Sequence, residues 1–193
     1  MAQRISGYSR IADDAYETPI WPVAALLQCV SISSAWDCSN GPGALVSALN
    51  MLGVEAVGTT TDFFSTEPPR GIDTIVCNPP YGRGGTLAVR FIERALQLAD
   101  IRKICMLLPI DFDSAISRQL LFRHCPSFTG KIVLLGRIRW ILGSTGAPST
   151  NHCWLLWDRA HTGAPIIRYV TKSEVALHTD HRALSASPRM VVP

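Results

Sequence analysis

The chain has 193 residues, of which 47% are hydrophobic and 17% charged, and its formal net charge is +3. This is enough apolar material for one domain with a full core and too little for two. The composition excludes a long disordered chain, and the mild basic excess permits contact with a polyanion without requiring it.

Metal, redox and membrane functions find little support in the sequence. None of the six cysteines forms a CxxC pair, which argues against a zinc site or a dithiol redox motif. The pairs His124-Cys125 and His152-Cys153 would be poor chelates on strands, where neighbours point to opposite faces. No apolar run approaches the roughly 20 residues that cross a membrane, and the first residues lack a signal-peptide core. We therefore expect a cytosolic protein, in a bacterium or a phage-infected host, without a metal.

The first half of the chain alternates between helix and strand signals. After a polar arm over residues 1–17, Thr18 is the predicted N-cap of a helix over residues 20–30, with Pro19 in its first turn. A short strand over residues 34–37 breaks into a glycine-rich turn that ends at Gly43, and a second helix follows to residue 52. The next predicted strands cover residues 54–58 and 73–77.

The second half continues the alternation. Helices are predicted over residues 86–98 and 112–123, and strands over residues 103–109 and 131–136. Two further segments, 137–142 and 152–158, could pair across a Gly/Ser/Pro loop. Alternating strands and helices imply a mostly parallel sheet with helices on both faces. We expect one domain over residues 18–171 and a solvated tail over residues 172–193.

The end of the first strand is a candidate ligand site. Ligands of open parallel sheets bind beyond the carboxyl ends of the strands. There Asp37 leads into the turn that ends at Gly43, where glycines allow close approach of a ligand to the backbone. A carboxylate at this point suits an amine or a ribose hydroxyl. Such a turn alone is structural more often than functional.

The stretch Asn78-Pro79-Pro80-Tyr81 directly follows the strand over residues 73–77. The two prolines fix the backbone and hold the residue before them extended. The carbonyl groups of Asn78 and Pro79, with the Asn78 side-chain oxygen, then form a fixed set of acceptors. A planar amine that donates two hydrogen bonds would fit them, and the Tyr81 ring can lie against a flat group. The alternative is a strand-terminating turn with a packed tyrosine.

These residues give the chain a family resemblance. From about residue 16 to residue 167 it is similar to the S-adenosylmethionine-dependent methyltransferases of the adenine-N6 DNA type, especially their small phage and prophage members. The resemblance implies an α/β Rossmann-like methyltransferase fold with an antiparallel C-terminal strand, and S-adenosyl-L-methionine as cofactor. It implies that Asn78, Pro79, Pro80 and Tyr81 are catalytic. The residues implied in cofactor binding are Tyr16, Thr18, Pro19, Asp37, Ser39, Gly41, Gly43, Asp62, Phe63 and Asn78.

Within this resemblance, the Asp62 carboxylate would accept from the amine of the cofactor's adenine, and the Phe63 ring would lie on its face. The chain departs from the family pattern in two places. Cys38 stands where the loop usually has proline, and no acidic residue lies where the family binds the cofactor ribose. Glu55 comes too early for that role, and the hydroxyls of Thr59, Thr60 and Thr61 are possible substitutes.

The resemblance also implies DNA as partner, with the target adenine flipped out of the duplex because a stacked base cannot reach such a pocket. Pro109 and Phe112 are candidates for the pocket wall, although Phe112 could equally pack under its helix. Candidate phosphate contacts are Arg83, Arg90, Arg137 and Arg139. We expect no separate target-recognition domain, and thus low sequence specificity or readout by loops 83–86 and 143–151.

Three other functions stay open. Asn-Pro-Pro-Tyr also occurs in methyltransferases that act on guanine in ribosomal RNA and on the glutamine amide of release factors. The third alternative is a catalytically silent partner subunit that binds the cofactor. An intact Asn78–Tyr81 stretch argues against the silent subunit.

Overall fold

The computed structural model describes residues 17–39, 43–140 and 150–175. Two predicted cofactor residues, Tyr16 and Gly41, lie outside the described residues. So do most of the predicted arm and tail, and most of loop 143–151.

The described chain contains three complete α-helices, the start of a further helix at residues 172–175, and seven strands, and most of the predicted elements agree within a few residues. The helices are α1 (Ile20–Cys29), α2 (Ala44–Met51) and α3 (Thr86–Gln97). The strands are β1 (Ser34–Asp37), β2 (Glu55–Gly58), β3 (Thr74–Cys77), β4 (Lys103–Pro109), β5 (Phe128–Leu135), β6 (His152–Asp158) and β7 (Ile166–Thr171). In the described ranges no helix combines the length and the apolarity that a bilayer crossing requires.

The seven described strands form one sheet in the order β2-β1-β3-β4-β6-β5-β7. Strands β1 to β4 run parallel to one another, and β6 is antiparallel to both β4 and β5. Its register with β4 runs from Lys103 opposite Asp158 to Pro109 opposite His152. The predicted mostly parallel sheet with an antiparallel strand near the C-terminus is confirmed.

Two details of the strand prediction are wrong. Residues 137–140 form no strand and do not pair with β6, which pairs instead with β5, whereas residues 141 and 142 of the predicted segment lie outside the described residues. Ile138 is instead fully buried in the core. Strand β7, which runs parallel to β5 at the sheet edge, was not predicted at all. Its β-branched residues Ile166, Ile167 and Val170 were the available signal.

Side chains alternate between two buried faces of the sheet, as the period of a strand requires. On one face, Ala35, Val76, Leu107 and Trp154 pack with residues of α1 and α2. On the other, Trp36, Ile75, Met106 and Leu155 pack with residues of α3. This arrangement explains why the central strands read as continuous apolar runs, and it confirms helices on both faces.

The predicted helix over residues 112–123 is wrong. The structure has two short 3-10 turns, Phe112–Ser114 and Ile116–Arg118, separated by Ala115 in extended conformation. In a helix, the Phe112 carbonyl would accept from a backbone N–H four residues later. Here the Arg118 guanidinium donates to it at 2.7 Å and to the Gly84 carbonyl at 2.6 Å. A tertiary contact thus overrides a local helical preference.

The start of α1 also differs from the prediction. Pro19, in extended conformation, is the N-cap residue, and no side chain caps the helix. Thr18 is therefore not the N-cap. Its side chain is only 4% exposed, and its hydroxyl lies against Asn78.

Candidate active site

The carboxyl ends of β1, β3 and β4 meet at one edge of the sheet, since these strands are adjacent and parallel. Asp37 ends β1, Asn78 directly follows β3, and Pro109 ends β4. Because β6 is antiparallel, its first residue, His152, lies opposite Pro109 at the same edge. The topology thus brings together residues from four strands.

Asp37 is 4% exposed. Its carboxylate accepts from the Ser39 backbone N–H at 3.0 Å and from the Ser39 hydroxyl at 2.6 Å. Burial raises the pKa of Asp37, and the two hydrogen bonds from Ser39 oppose that effect. Ser39 therefore orients the carboxylate. Gly43, with φ of 86°, is the N-cap of α2 and closes the turn.

The threonines proposed to replace the ribose-binding acid have partners of their own. The Thr59 hydroxyl accepts from Trp36 Nε1 at 3.2 Å, and the Thr59 N–H donates to the Asp37 carbonyl at 3.3 Å. The Thr61 hydroxyl bonds that of Thr66 at 2.8 Å. In this structure Thr59 and Thr61 thus stabilise the chain after β2.

The neighbours Asp62 and Phe63 have opposite environments. The Asp62 side chain is exposed and accepts from the Phe64 N–H at 3.3 Å. Phe63 is 2% exposed, and its ring stacks on Phe91 with centroids 4.9 Å apart. The Asp62 carboxylate can reach a ligand at the surface. The Phe63 ring belongs to the core, so the predicted stacking on an adenine would require it to leave these contacts.

Asn78 is held by a residue far away in sequence. Its Nδ2 donates to the Thr18 hydroxyl at 3.3 Å. The amide oxygen, which can only accept, is the other branch of the same planar group. Pro79 beside it is buried and Pro80 is half-buried. The contact therefore fixes which end of the amide is the donor and which is the acceptor.

Tyr81 is fixed through both its backbone and its side chain. Its carbonyl accepts from the N–H groups of Leu87 and Ala88 in the first turn of α3, at 3.2 and 3.4 Å. Its phenol hydroxyl donates to the Leu107 carbonyl at 3.4 Å. The ring is half-buried at the sheet edge. It cannot swing freely, which suits a surface on which a flat group lies.

His152 belongs to the same cluster, although its sequence context indicates only half of a poor chelating pair with Cys153. It is 3% exposed, with its ring centroid 6.4 Å from that of Tyr81 and 5.0 Å from that of Trp140. Its Nδ1 is buried without a hydrogen-bond partner in the described part of the chain. Burial lowers the pKa of His152 to about 4. A hydrogen bond with the Thr150 backbone and the charge of the Asp111 carboxylate oppose this effect, because both raise the pKa. The imidazole is therefore neutral at pH 7.

The remaining predicted residues are less central. Phe112 is 4% exposed and packs in the core, with the Arg118 guanidinium 3.9 Å from its ring centroid. Arg90 lies 4.4 Å from the Phe64 ring centroid, and Arg137 Nε donates to Asn151 Oδ1 at 3.1 Å. Arg83 and Arg139 are exposed.

Buried thiols line the same strands. Burial raises the pKa of Cys77 well above its ordinary value, with neighbouring Cys38 adding to the effect. Burial also raises the pKa values of Cys105 and Cys153 to about 12. These groups are neutral thiols rather than nucleophilic thiolates. Among the described residues, no three His, Cys, Asp or Glu side chains group as metal ligands.

The sheet order and the two helical layers define a Rossmann-like methyltransferase fold. The chain is similar to a protein described as a class I S-adenosylmethionine-dependent methyltransferase from Listeria monocytogenes, with a TM-score of 0.56 and 11% identity over 86% of this chain and 67% of that one. At such identity the likeness shows the fold.

Two further solved structures share the fold with this chain. One is the type IIG restriction endonuclease BpuSI, with a TM-score of 0.53 and 14% identity. The other is from a type I restriction–modification system, with a TM-score of 0.50 and 14% identity. The match covers 89% and 96% of this chain but only 28% and 54% of those chains. No family model and no curated protein matches the sequence.

Proposed function

We propose that the protein is a methyltransferase that transfers a methyl group from S-adenosyl-L-methionine to the exocyclic amine of adenine in DNA. The observation that carries the proposal is the Asn78 amide, which Thr18 orients at the carboxyl edge of the sheet, three residues before the anchored Tyr81. The similarity in fold to two proteins of restriction systems supports DNA as the substrate.

The residues present fit the cofactor. Asp62 offers an exposed carboxylate for an amine, and Asp37 offers a buried carboxylate oriented by Ser39. Thr18 and Pro19 lie at the start of α1, and Thr18 contacts Asn78. When bound, S-adenosyl-L-methionine supplies an electrophilic methyl group on sulfur.

Asn78 and Pro79 would act on the adenine amine. That nitrogen is a poor nucleophile because its lone pair is delocalised into the ring. The Asn78 Oδ1 and the backbone carbonyl groups of this stretch would accept its hydrogens and localise the lone pair. The nitrogen becomes acidic as it is methylated, so it can lose its proton to water. Alignment of the two reactants can lower the barrier by roughly 7–11 kcal/mol, and the fixed acceptors add to this.

Tyr81 would receive the flipped base. Extrusion of a base costs a few kcal/mol, and stacking on an aromatic ring contributes roughly 1–3 kcal/mol. The half-buried Tyr81 ring, held at its hydroxyl and at its carbonyl, needs little further ordering when a base arrives. Neutral His152 behind it adds no charge to the pocket.

A transfer assay tests this proposal. The protein is incubated with S-adenosyl-L-methionine labelled in its methyl group and with unmethylated DNA, ribosomal RNA or a release factor. We expect label in DNA adenine at N6. Label in RNA guanine or in a protein glutamine would reassign the substrate, and cofactor binding without transfer to any of the three would indicate a silent subunit.

The variant Asn78→Ala tests the mechanism. We expect transfer to fall about 10²–10³-fold, the effect of removing one preorganised polar group in an active site. Cofactor binding, measured by equilibrium dialysis, should persist. A turnover equal to that of the wild type would show that Asn78 is not the acceptor.

A further inference from the structure

Two exposed apolar residues lie on the segment that follows β4. In this segment, residues 114–124, Ile116 is 79% exposed and Leu120 is 73% exposed, whereas Leu121 and Phe122 are buried. The Gln119 N–H donates to the Ile116 carbonyl at 3.3 Å, and the Leu121 N–H donates to the Arg118 carbonyl at 2.9 Å. The segment is thus a series of tight turns anchored in the core, with two branched aliphatic side chains on its outer side.

Arg118 connects this segment to the loop that follows Tyr81. Its guanidinium donates to the Gly84 carbonyl at 2.6 Å and lies over the Phe112 ring. Arg118 also lies close to the Gly85 backbone, since a Cβ atom at Gly85 would be only 2.7 Å from Arg118 Nη2. Arg118, which lies between Ile116 and Leu120 in the sequence, thus ties their segment to the loop that directly follows Tyr81.

The surroundings of the two residues suit a polyanion. Residues 114–124 contain no acidic residue, and they carry Arg118, Arg123 and His124. The nearest acidic residues before them are Asp113, which is paired with Lys131 at 2.8 Å, and the exposed Asp111. On the connected loop, Arg83 is exposed. Apolar side chains flanked by cations match a duplex, whose outside is phosphate and whose interior is stacked bases.

We propose that Ile116 and Leu120 form an apolar wedge that enters duplex DNA beside the target base and fills the space that the flipped base leaves. The proposal rests on the proposed function. Branched aliphatic side chains inserted between base steps unstack and kink a duplex. The wedge would stabilise the flipped state without contacting the reacting amine. It acts on paired DNA, where a base must be extracted, and not on DNA whose strands are already separated.

The test compares the double variant Ile116→Ser/Leu120→Ser with the wild type on unmethylated plasmid DNA, native and heat-denatured. We expect the transfer rate on native DNA to fall about tenfold or more, with the rate on denatured DNA changed by less than about twofold. The conservative double variant Ile116→Leu/Leu120→Met keeps apolar volume and should keep the native-DNA rate. Met51→Ser is the matched control, because Met51 is 76% exposed on α2, away from this segment.

Three results would overturn the wedge. They are a serine variant within about twofold of wild type on native DNA, an equal fall on both DNA forms, or an equal loss in the conservative variant. If the wild type labels native DNA alone, the wedge is tested on native DNA only: it requires a loss of rate in the serine variant and none in the conservative variant. A wild type that labels neither form would instead count against the proposed function, so the two failures are distinguishable.

Discussion

Asn78 contacts a threonine 60 positions earlier in the chain. The sequence around the asparagine predicts its role, because two prolines after a strand are an unusual local signal. The sequence around the threonine predicts a helix cap and a cofactor contact, but not its contact with Asn78. Contacts between distant segments depend on how α1 and β3 pack, and no local pattern records that.

We predict that Thr18→Val lowers the transfer rate about 5–10-fold at saturating cofactor, because one hydrogen bond of about 1 kcal/mol that orients the Asn78 amide is lost. Thr18→Ser keeps the hydroxyl and should keep most of the rate. The measurement is single-turnover transfer, with cofactor affinity measured in parallel. A Thr18→Val variant that loses affinity but not the rate at saturation would place Thr18 with the cofactor instead.

His152 gives the site a measurable dependence on pH. Its pKa is lowered by burial to about 4 in the folded protein, from an ordinary value of 6.5. The unfolded chain therefore binds the extra proton more readily, and the free energy of unfolding falls as the pH drops from 6.5 toward 4. The full shift corresponds to about 3 kcal/mol.

We predict that the wild type loses up to about 3 kcal/mol of stability between pH 7 and pH 4, relative to His152→Phe, which keeps a ring but cannot titrate. Urea unfolding at a series of pH values measures the difference. Parallel pH profiles for the two proteins would contradict the assignment of a neutral, buried imidazole.

At the scale of elements, short-range patterns predicted α1, α2, α3 and β1 to β4 closely. They failed where a tertiary contact decides the conformation, as at residues 112–123, whose helical periodicity yields to Arg118. They also failed at the edge strand β7, which has only one described neighbour. An edge strand lacks the continuous buried run that made β4 and β6 easy to find.

The join between β5 and β7 depends on Gly130, where the β5–β6 register shifts. Its φ is 129°, and a Cβ atom there would overlap the carbonyl oxygen of Ile166 in β7. Gly163 has nearly the same φ, 128°, but a Cβ atom added there would have no other atom within 4 Å. An alanine at either position would strain the backbone, but only an alanine at position 130 would also clash with Ile166. Comparing the two variants therefore measures the cost of the clash alone.

We predict that Gly130→Ala lowers the free energy of unfolding by about 1–3 kcal/mol more than Gly163→Ala, because only the former forces atoms apart in a packed region. Chemical denaturation of both variants and the wild type gives the comparison. Equal losses would mean that β7 can shift away at no cost.

At the scale of the whole molecule, the fold class followed from the alternation of strands and helices, and the site from two strand ends. The sequence does not predict that β6 lies between β4 and β5. This placement brings His152 close to Tyr81. Strand order is set by the packing of both sheet faces at once. No single segment of the sequence determines the strand order. The aromatic residues near Tyr81 are therefore known only from the structure.

The position of β6 also affects how the protein folds during its synthesis on the ribosome. In the described sheet, β5 joins β1 to β4 only through β6, and both of its neighbours, β6 and β7, are synthesised later. At 5–20 residues per second, about 1–3 s separate the completion of β5 at Leu135 from the arrival of His152. During that interval the nascent β5 has no partner on the side that β6 will occupy. Its apolar residues are then a natural target for chaperones, and translation speed over this stretch becomes a determinant of yield.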